Sequence, residues 1–224
     1  MLDDVRGVMT AQLKHDIAAA YRDLGRRGFM PGSAGNVSVR TANGMLITPS
    51  GCSAEAVTDD SILSLTLDGK TISSRTPSSE WPMHAAIYRA YEHAQAIVHT
   101  HAEACTALAC LGQPLPAFHY MVVAFGGEDV RCAPYVTFGT PELAHLAVEA
   151  LEGRSACLLA NHGMVVHAPS LDRALADAIV LESLCRQYLL ARAAGSPRLL
   201  TLTEIQAARE RFRTYGSKNE GGEP

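Results

Sequence analysis

The chain has 224 residues, of which 47% are hydrophobic and 19% charged, and its formal net charge is −4. This composition is typical of a globular protein, and the scattered basic residues exclude an electrostatic surface for nucleic acid or an anionic membrane. No apolar run reaches membrane-spanning length, and six cysteines without a Cys-x-x-Cys pair indicate reduced thiols in a cytoplasmic protein.

The first third of the sequence predicts one helix and two hairpins. Apolar residues recur at helical spacing from Val8 to Leu24, and the glycines that follow end the helix. Asn43-Gly44 and Asp68-Gly69 are turn dipeptides typical of β-hairpins. The strands that these turns join are predicted at 37–40 with 45–48, and at 62–67 with 70–73.

Helices and strands alternate in the rest of the chain. Ser78 or Ser79 can cap a helix that has Pro82 in its first turn and runs to about residue 92. The later predicted elements are, in order, a strand at 96–101, a helix at 102–111, a strand at 118–125, a helix from Thr140 to about Gly153, strands at 156–160 and 164–167, a helix at 171–194, and a helix capped by Thr203 that ends near Tyr215.

The order of these elements predicts the fold class. Because strands arrive mostly as hairpins with helices inserted between them, we expect an α/β fold of one domain, residues 1–216. Its central sheet is expected to be mixed but mostly antiparallel and covered by helices on both faces. The Gly- and Glu-rich tail, 217–224, is predicted to be disordered.

Two histidines one residue apart end the hydrophobic run at 96–101. Alternate side chains of a strand share a face, so His99 and His101 should point the same way, roughly 6.5 Å apart along the backbone. Two imidazoles at that spacing can reach one metal ion, and catalytic zinc sites typically combine three protein ligands with an open position. Ordinary histidines at a strand end fit the same pattern, so the pair alone leaves both interpretations open.

Other candidate site residues stand in loops and at a helix start. His162 occupies an Asn-His-Gly turn between apolar strands, although alone it is more typical of a hydrogen-bonded structural histidine. Glu80 is also explained by the helix dipole. Three loops offer hydroxyl, amide and backbone N–H groups suited to a phosphate, although each can be a simple turn; their residues are Gly35, Asn36, Ser50, Gly51, Ser78 and Ser79. The other histidines, His15, His84, His93, His119, His145 and His167, are interpreted as structural.

The lysines exclude one catalytic strategy. Only Lys14, Lys70 and Lys218 are present, and none lies in an apolar run that would depress its pKa as a Schiff-base lysine requires. Covalent amine catalysis is therefore not expected.

Together these segments resemble the class II aldolase/epimerase family of sugar-phosphate enzymes, from about Leu13 to Gly216. The matching motifs are 33–40 (SAGNVSVR), 44–51 (GMLITPSG), 77–81 (PSSEW), 97–101 (IVHTH), 118–121 (FHYM), 133–140 (APYVTFGT), 161–163 (NHG) and 213–216 (RTYG). Small departures are Asn161, where a bulkier residue is expected, and Ser33 and Ser50 in place of threonines. They touch the pocket and bear on which sugar is bound.

The resemblance implies a role for each candidate residue. His99, His101 and His162 would bind Zn²⁺, with Glu80 as fourth ligand in the resting site and as the base once substrate displaces it. The six residues of the three small loops would hold the substrate phosphate. Tyr120 would be the acid/base at the aldehyde end in a neighbouring subunit's site, within a homotetramer. Phe138 and Tyr215 would help close the pocket.

The implied reaction is cleavage of a ketose 1-phosphate to dihydroxyacetone phosphate and a short aldehyde. L-Fuculose 1-phosphate, 5-deoxyribulose 1-phosphate and 5-methylthioribulose 1-phosphate all fit this machinery. A pentulose-phosphate 4-epimerase or a methylthioribulose-1-phosphate dehydratase would reuse the same zinc site, and the motif at 119–121 favours the aldolase. A non-catalytic adducin-like module is a further alternative. Such a module needs no complete set of zinc ligands, whereas all four candidate ligands are present in this sequence.

Overall fold

A seven-stranded sheet forms the centre of the structure, a computed structural model that describes residues 2–71 and 73–214. The helices of this part of the chain are α1 (Leu2–Arg26), α2 (Trp81–Ala90), α3 (Glu103–Ala109), α4 (Pro141–Ala150), α5 (Leu171–Ala194) and α6 (Leu202–Thr214), with short 3₁₀-helices at Asp59–Ser61 and Tyr120–Phe125. The strands are β1 (Asn36–Thr41), β2 (Gly44–Ile47), β3 (Leu63–Leu65), β4 (Ala96–Thr100), β5 (Leu115–Pro116), β6 (Asp129–Val130), β7 (Cys132–Ala133), β8 (Ala156–Leu159) and β9 (Gly163–Ala168).

The strand order confirms the predicted mixed, mostly antiparallel sheet. The order across the sheet is β3-β2-β1-β4-β9-β8-β7, and every neighbouring pair is antiparallel except β7 with β8. Strands β5 and β6 form a separate antiparallel pair. The predicted histidine-bearing strand is therefore β4, at the middle of the large sheet.

Helices cover both faces of the sheet, as predicted. Successive side chains of a strand point to opposite faces, and the residues of β4 divide accordingly. Ala96 and Val98 belong to one core, with side chains of α1, α3 and α5, whereas Ile97 belongs to a second core with side chains of α2 and α4. The α/β prediction is thus confirmed.

The prediction of a strand at 118–125 is wrong. It forms a 3₁₀-helix, Tyr120–Phe125, whose start is capped by the His119 ring accepting from the Met121 N–H at 3.2 Å. A short apolar run cannot distinguish a buried strand from a buried helical turn. Val122 and Phe125, three residues apart, are both fully buried, as the repeat of a 3₁₀-helix allows.

The second predicted hairpin is also wrong in part. Asp68-Gly69 does form a tight turn, closed by the Thr66 N–H donating to the Lys70 carbonyl at 3.0 Å. No strand follows it among the described residues of 70–73, and β3 pairs only with β2 there. Because β3 has three residues, it offers little ladder for a returning arm.

Two helix starts differ from the prediction by a few residues. The N-cap of α2 is Glu80 itself, while the Ser78 hydroxyl accepts the Glu80 N–H at 3.3 Å, and the helix ends at Ala90 rather than near residue 92. Before α6 the capping hydroxyl belongs to Thr201, which accepts the Glu204 N–H at 3.3 Å, rather than to Thr203. Helix α1 begins at Leu2, before the apolar pattern that starts at Val8, and continues through Gly25 to Arg26. The predicted helix at 171–194 is α5.

Two further predictions fall outside the described residues: the end of the last helix near Tyr215 and the disordered tail at 217–224. Within the described ranges, no helix combines the length and the apolar character that crossing a membrane requires.

Candidate metal centre and active-site cleft

The end of β4 carries the first two histidines of the site. His99 is fully buried, and its Nδ1 lies 2.8 Å from the Met164 carbonyl oxygen on the adjacent strand β9. A carbonyl accepts only, so Nδ1 carries a proton, and Nε2 is the nitrogen that faces the site and can bind a metal. The backbone N–H of His101 donates to the Phe29 carbonyl at 3.1 Å, which ties the residue after the strand to the loop before β1.

The turn between β8 and β9 brings in the third histidine. Asn161, before His162, has φ +55°, a left-handed conformation that asparagine tolerates better than bulkier side chains do. A Cβ on Gly163, after it, would stand 2.3 Å from the Thr100 carbonyl oxygen. The turn can therefore approach β4 this closely only with glycine at that position.

Glu80 meets the histidines from the start of α2. One carboxylate oxygen, Oε2, lies 2.8 Å from Nε2 of His99, and the other, Oε1, lies 3.3 Å from Nε2 of His162. The side chain is 6% exposed, so the carboxylate is almost removed from water. A buried carboxylate in that position requires cationic or hydrogen-bonding partners.

The four side chains converge on one point. Donor atoms of Glu80, His99, His101 and His162 all lie within 4.8 Å of one another, and the Nε2 atoms of His99 and His101 are 3.1 Å apart. Ligands about 2.1 Å from a tetrahedral ion stand about 3.4 Å apart, close to these separations. Oε1 of Glu80 is buried and has no hydrogen-bond partner among the described residues. The donor set and this orphaned oxygen fit a divalent metal ion.

The protonation states also suit metal binding. Burial opposes ionisation of Glu80, but the charge of His99 and its hydrogen bond outweigh burial and hold the pKa of the carboxyl well below its ordinary value. Burial and the charge of His99 lower the pKa of His101 to about 3 and that of His162 to about 4. Burial opposes protonation of His99 too, yet Glu80 raises its pKa. Neutral imidazole and ionised carboxylate are the forms that bind metals, and these are the forms of His101, His162 and Glu80.

The cluster opens into a cleft of about 450 Å³. Its lining includes all six residues of the small loops predicted to hold a phosphate, Gly35, Asn36, Ser50, Gly51, Ser78 and Ser79, together with Glu80, His101, His162 and Phe138. The side-chain amide of Asn36 is also engaged within the site, since Nδ2 donates to Oε2 of Glu80 at 3.1 Å. Three loops that are distant in sequence thus meet beside the histidine and glutamate cluster.

Tyr120 lies elsewhere on the chain. Among the described residues it is not part of the lining of this cleft; its ring stacks on Phe212 of α6 at 6.0 Å between centroids, and 54% of the residue is exposed. Phe138, at the cleft, is 63% exposed. Tyr215, the other predicted pocket-closing residue, lies outside the described residues.

One neighbour of the site was not singled out by the sequence. His84 on α2 is fully buried, and its Nε2 lies 2.5 Å from Oδ1 of Asn36. The available signal was its position four residues after Glu80, which places both on one face of a helix. That signal is weak, because it does not reveal what stands across from the face.

Comparisons with known proteins agree with this fold. Residues 15–189 match the family described as Class II Aldolase and Adducin N-terminal domain. The chain is 44% identical over 204 residues to a 5-methylthioribulose-1-phosphate/5-deoxyribulose-1-phosphate aldolase of Rhodospirillum rubrum, covering 91% of this chain and 92% of that protein. It is 42% identical over 210 residues to an L-fuculose phosphate aldolase of Escherichia coli O6:H1, covering 93% and 98%.

A solved structure described as L-fuculose 1-phosphate aldolase superposes with a TM-score of 0.86 at 38% identity, over 90% of this chain and 96% of that one. The resemblance drawn from the motifs is confirmed by matches that span nearly the whole described chain. The chain belongs to the class II aldolase and adducin N-terminal domain family, and its aldolase relatives within that family make it a class II aldolase.

Proposed function

We propose that this protein is a zinc-dependent aldolase that cleaves a ketose 1-phosphate to dihydroxyacetone phosphate and a short aldehyde. The observation that carries the proposal is the convergence of three imidazoles and a buried carboxylate at the base of a cleft lined by three phosphate-suited loops. The names of the relatives supply the substrate class, since those enzymes act on L-fuculose phosphate and on 5-methylthio- or 5-deoxyribulose 1-phosphate. We infer that residues 1–216 act as one aldolase domain.

The metal is assigned to His99, His101 and His162, with Glu80 as fourth ligand before substrate binds. Three neutral imidazoles leave the charge of a divalent ion uncompensated, and nitrogen-rich tetrahedral sites are typical of zinc. When bound, Zn²⁺ supplies a Lewis acid that polarises the substrate ketone.

The phosphate is assigned to the three loops: Gly35 and Asn36, Ser50 and Gly51, and Ser78 and Ser79. The last pair directly precedes α2, where backbone N–H groups and the positive end of the helix dipole favour an anion. A phosphate bound there would lie next to Glu80, with the first carbons of the ketose near the proposed metal ligands.

Glu80 is the proposed proton-transfer group. C–C cleavage leaves the enediolate of dihydroxyacetone phosphate, whose carbon must be protonated. A carboxylate that stays ionised in the resting site is ready to remove that proton in the condensation direction and to return it in cleavage.

Tyr120 is the proposed proton acceptor at the alcohol that becomes the aldehyde. Because its ring is exposed and outside the cleft of its own chain, we assign it to the cleft of a neighbouring subunit. The exposed aromatic side chains of Tyr120, Tyr135 and Phe138 support an oligomer, for which we propose a homotetramer. Light scattering coupled to size exclusion measures that assembly.

A cytoplasmic location is proposed from the cysteines. All six cysteines are free, including the exposed Cys110, as in a reducing compartment. Reaction with a thiol reagent in freshly prepared native protein should modify Cys110 without prior reduction.

The deciding experiment is a substrate panel. L-Fuculose 1-phosphate, 5-deoxyribulose 1-phosphate and 5-methylthioribulose 1-phosphate are each incubated with zinc-loaded protein, and dihydroxyacetone phosphate is detected through a coupled reductase. We expect its release from at least one of them. Epimerised ketose or a dehydrated product without dihydroxyacetone phosphate would instead assign the alternative chemistries, and no reaction with a complete metal site would favour a binding module.

A further inference from the structure

A chain of buried polar side chains leads from Glu80 into the core on the α2 side of the sheet. Asn36 Nδ2 lies 3.1 Å from Glu80 Oε2, and Asn36 Oδ1 lies 2.5 Å from His84 Nε2. His84 Nδ1 lies 2.7 Å from the Ser38 hydroxyl, which lies 2.8 Å from the Tyr88 hydroxyl. None of these five residues is more than 5% exposed.

The carboxylate fixes the direction of every hydrogen bond in this chain. An ionised Glu80 only accepts, so the Asn36 amide nitrogen faces it and the amide oxygen faces His84. His84 must then donate from Nε2, which leaves Nδ1 to accept the Ser38 hydroxyl hydrogen. The Ser38 oxygen in turn accepts from Tyr88. Burial, helped by the charge of nearby His99, lowers the pKa of His84 to about 3, so the ring is neutral and has the one proton that this order requires.

The two oxygens of Glu80 are consequently held differently. Oε2 receives the Asn36 N–H and lies 2.8 Å from His99, whereas Oε1 has no hydrogen-bond partner among the described residues and has His162 at 3.3 Å. The far end of the chain is anchored as well. Arg40 stands 4.7 Å over the Tyr88 ring and donates to the Ala94 carbonyl at 2.7 Å.

We propose that His84, supported by Ser38, is a positioning residue for proton transfer: it locks the Asn36 amide so that Oε2 of Glu80 is held and Oε1 is the oxygen that exchanges the proton. The inference rests on the proposed function of Glu80. Without the Nε2–H of His84, the Asn36 amide can rotate and present its oxygen to the carboxylate. The repulsion of two acceptors would then displace Glu80 from its position beside the reacting carbon.

The kinetic test measures exchange of the dihydroxyacetone phosphate proton with deuterium oxide, normalised to zinc content by elemental analysis. His84→Leu removes the donor, whereas His84→Gln keeps an N–H that can reach Asn36. We expect His84→Leu to lower the turnover of exchange by about 10- to 100-fold with KM nearly unchanged, and His84→Gln to recover most of it. Ser38→Ala, a smaller change, should lower turnover less.

The matched control is His167→Leu, since His167 is 1% exposed on β9 and contacts the Arg154 carbonyl rather than the network. This variant should lose stability but keep its exchange rate per zinc-loaded site. If His84→Leu behaves in the same way, the role of His84 is only structural and the proposal is overturned. If His84→Leu does not fold, Ser38→Ala and His84→Gln decide the question by the same exchange rate per site.

A second readout does not depend on activity. Nitrogen-15 NMR of histidine-labelled protein, metal-free and zinc-loaded, should show neutral His84 protonated at Nε2. Protonation at Nδ1 would reverse the order of the chain and overturn the proposal. Should the wild-type protein exchange no proton of dihydroxyacetone phosphate, the proposed function fails, while the tautomer still decides whether the network has the stated direction.

Discussion

Replacing Gly163 by alanine tests whether the close approach of β9 to β4 builds the metal centre. Gly163 follows His162 directly, and an added Cβ would stand 2.3 Å from the Thr100 carbonyl oxygen and 3.2 Å from Cδ2 of His101. Both obstacles lie in the segment that carries the other ligands. The carbonyl belongs to the central strand, so the turn bearing His162 has to move.

The size of the movement follows from the contact distance. Relieving 2.3 Å to an ordinary Cβ–oxygen separation of about 3.2 Å requires about 0.9 Å. Metal–ligand distances tolerate only about 0.2 Å. We therefore expect zinc to bind about 10²-fold more weakly, which corresponds to about 2.7 kcal/mol.

The assay is a competition titration of zinc against a chromophoric chelator, with thermal unfolding measured in parallel. Gly7→Ala is the control, because a Cβ at that helical position meets nothing within 4 Å. It should bind zinc as the parent does. Zinc affinity of Gly163→Ala within threefold of the parent, in a folded protein, would refute the reasoning that this contact sets the ligand geometry.

The remaining predictions concern single side chains. His101→Ala should lose zinc and activity while staying folded, as shown by elemental analysis and circular dichroism; full activity of metal-free protein would contradict it. Glu80→Gln should lower proton exchange of dihydroxyacetone phosphate by about 10²-fold or more, and exchange at the wild-type rate would assign the base elsewhere. Tyr120→Phe should keep that exchange but lose C–C cleavage, and reassembly with Glu80→Gln subunits should restore some cleavage only if Tyr120 serves a neighbour. Burial lowers the pKa of His167 from 6.5 to about 4, so protonation of this ring favours the unfolded chain. The contribution of neutral His167 to the free energy of unfolding is complete above pH 6.5 and falls by about 3 kcal/mol as the pH approaches 4. Urea unfolding of the parent and of His167→Gln across this pH range measures the difference.

The hydrophobic periodicity of the sequence was sufficient to assign an element where the whole element lies in one kind of surroundings. Strand β4, whose five residues are all buried, and the long pattern of α5 could be assigned because the central strand is buried on both faces and the helix lies on one of them. The segment 118–125 could not, since its Val and Phe side chains suit a strand as well as a 3₁₀-turn. The start of its 3₁₀-helix is capped by the His119 ring, which accepts the Met121 N–H, a contact that composition does not reveal.

The residues of the candidate site also divide into those that local spacing predicts and those that it does not. The period of two along a strand brings His99 and His101 together, but Glu80 and His162 reach them through pairings that only the folded chain makes. Those two were assigned by resemblance to a family, not by spacing. The left-handed φ of Asn161 also gives a physical reason for one departure from the family pattern, because asparagine adopts that conformation more readily than a bulkier side chain.

Two buried histidines show where sequence reasoning stops. His84 and His167 each stand among apolar neighbours, and each is at most 1% exposed. His84 meets Asn36, 48 positions away, whereas His167 meets the Arg154 carbonyl and keeps a buried Nδ1 without a partner among the described residues. The two histidines differ in the atom that each ring meets in the folded chain, which the local sequence does not specify. A neutral ring donating to an amide that itself donates to a carboxylate can transmit orientation to a reacting group; a ring that ends on a main-chain carbonyl cannot. Whether a buried histidine can act on the reacting groups therefore depends on the direction of its hydrogen bonds. In this chain the carboxylate of Glu80, which only accepts, sets that direction.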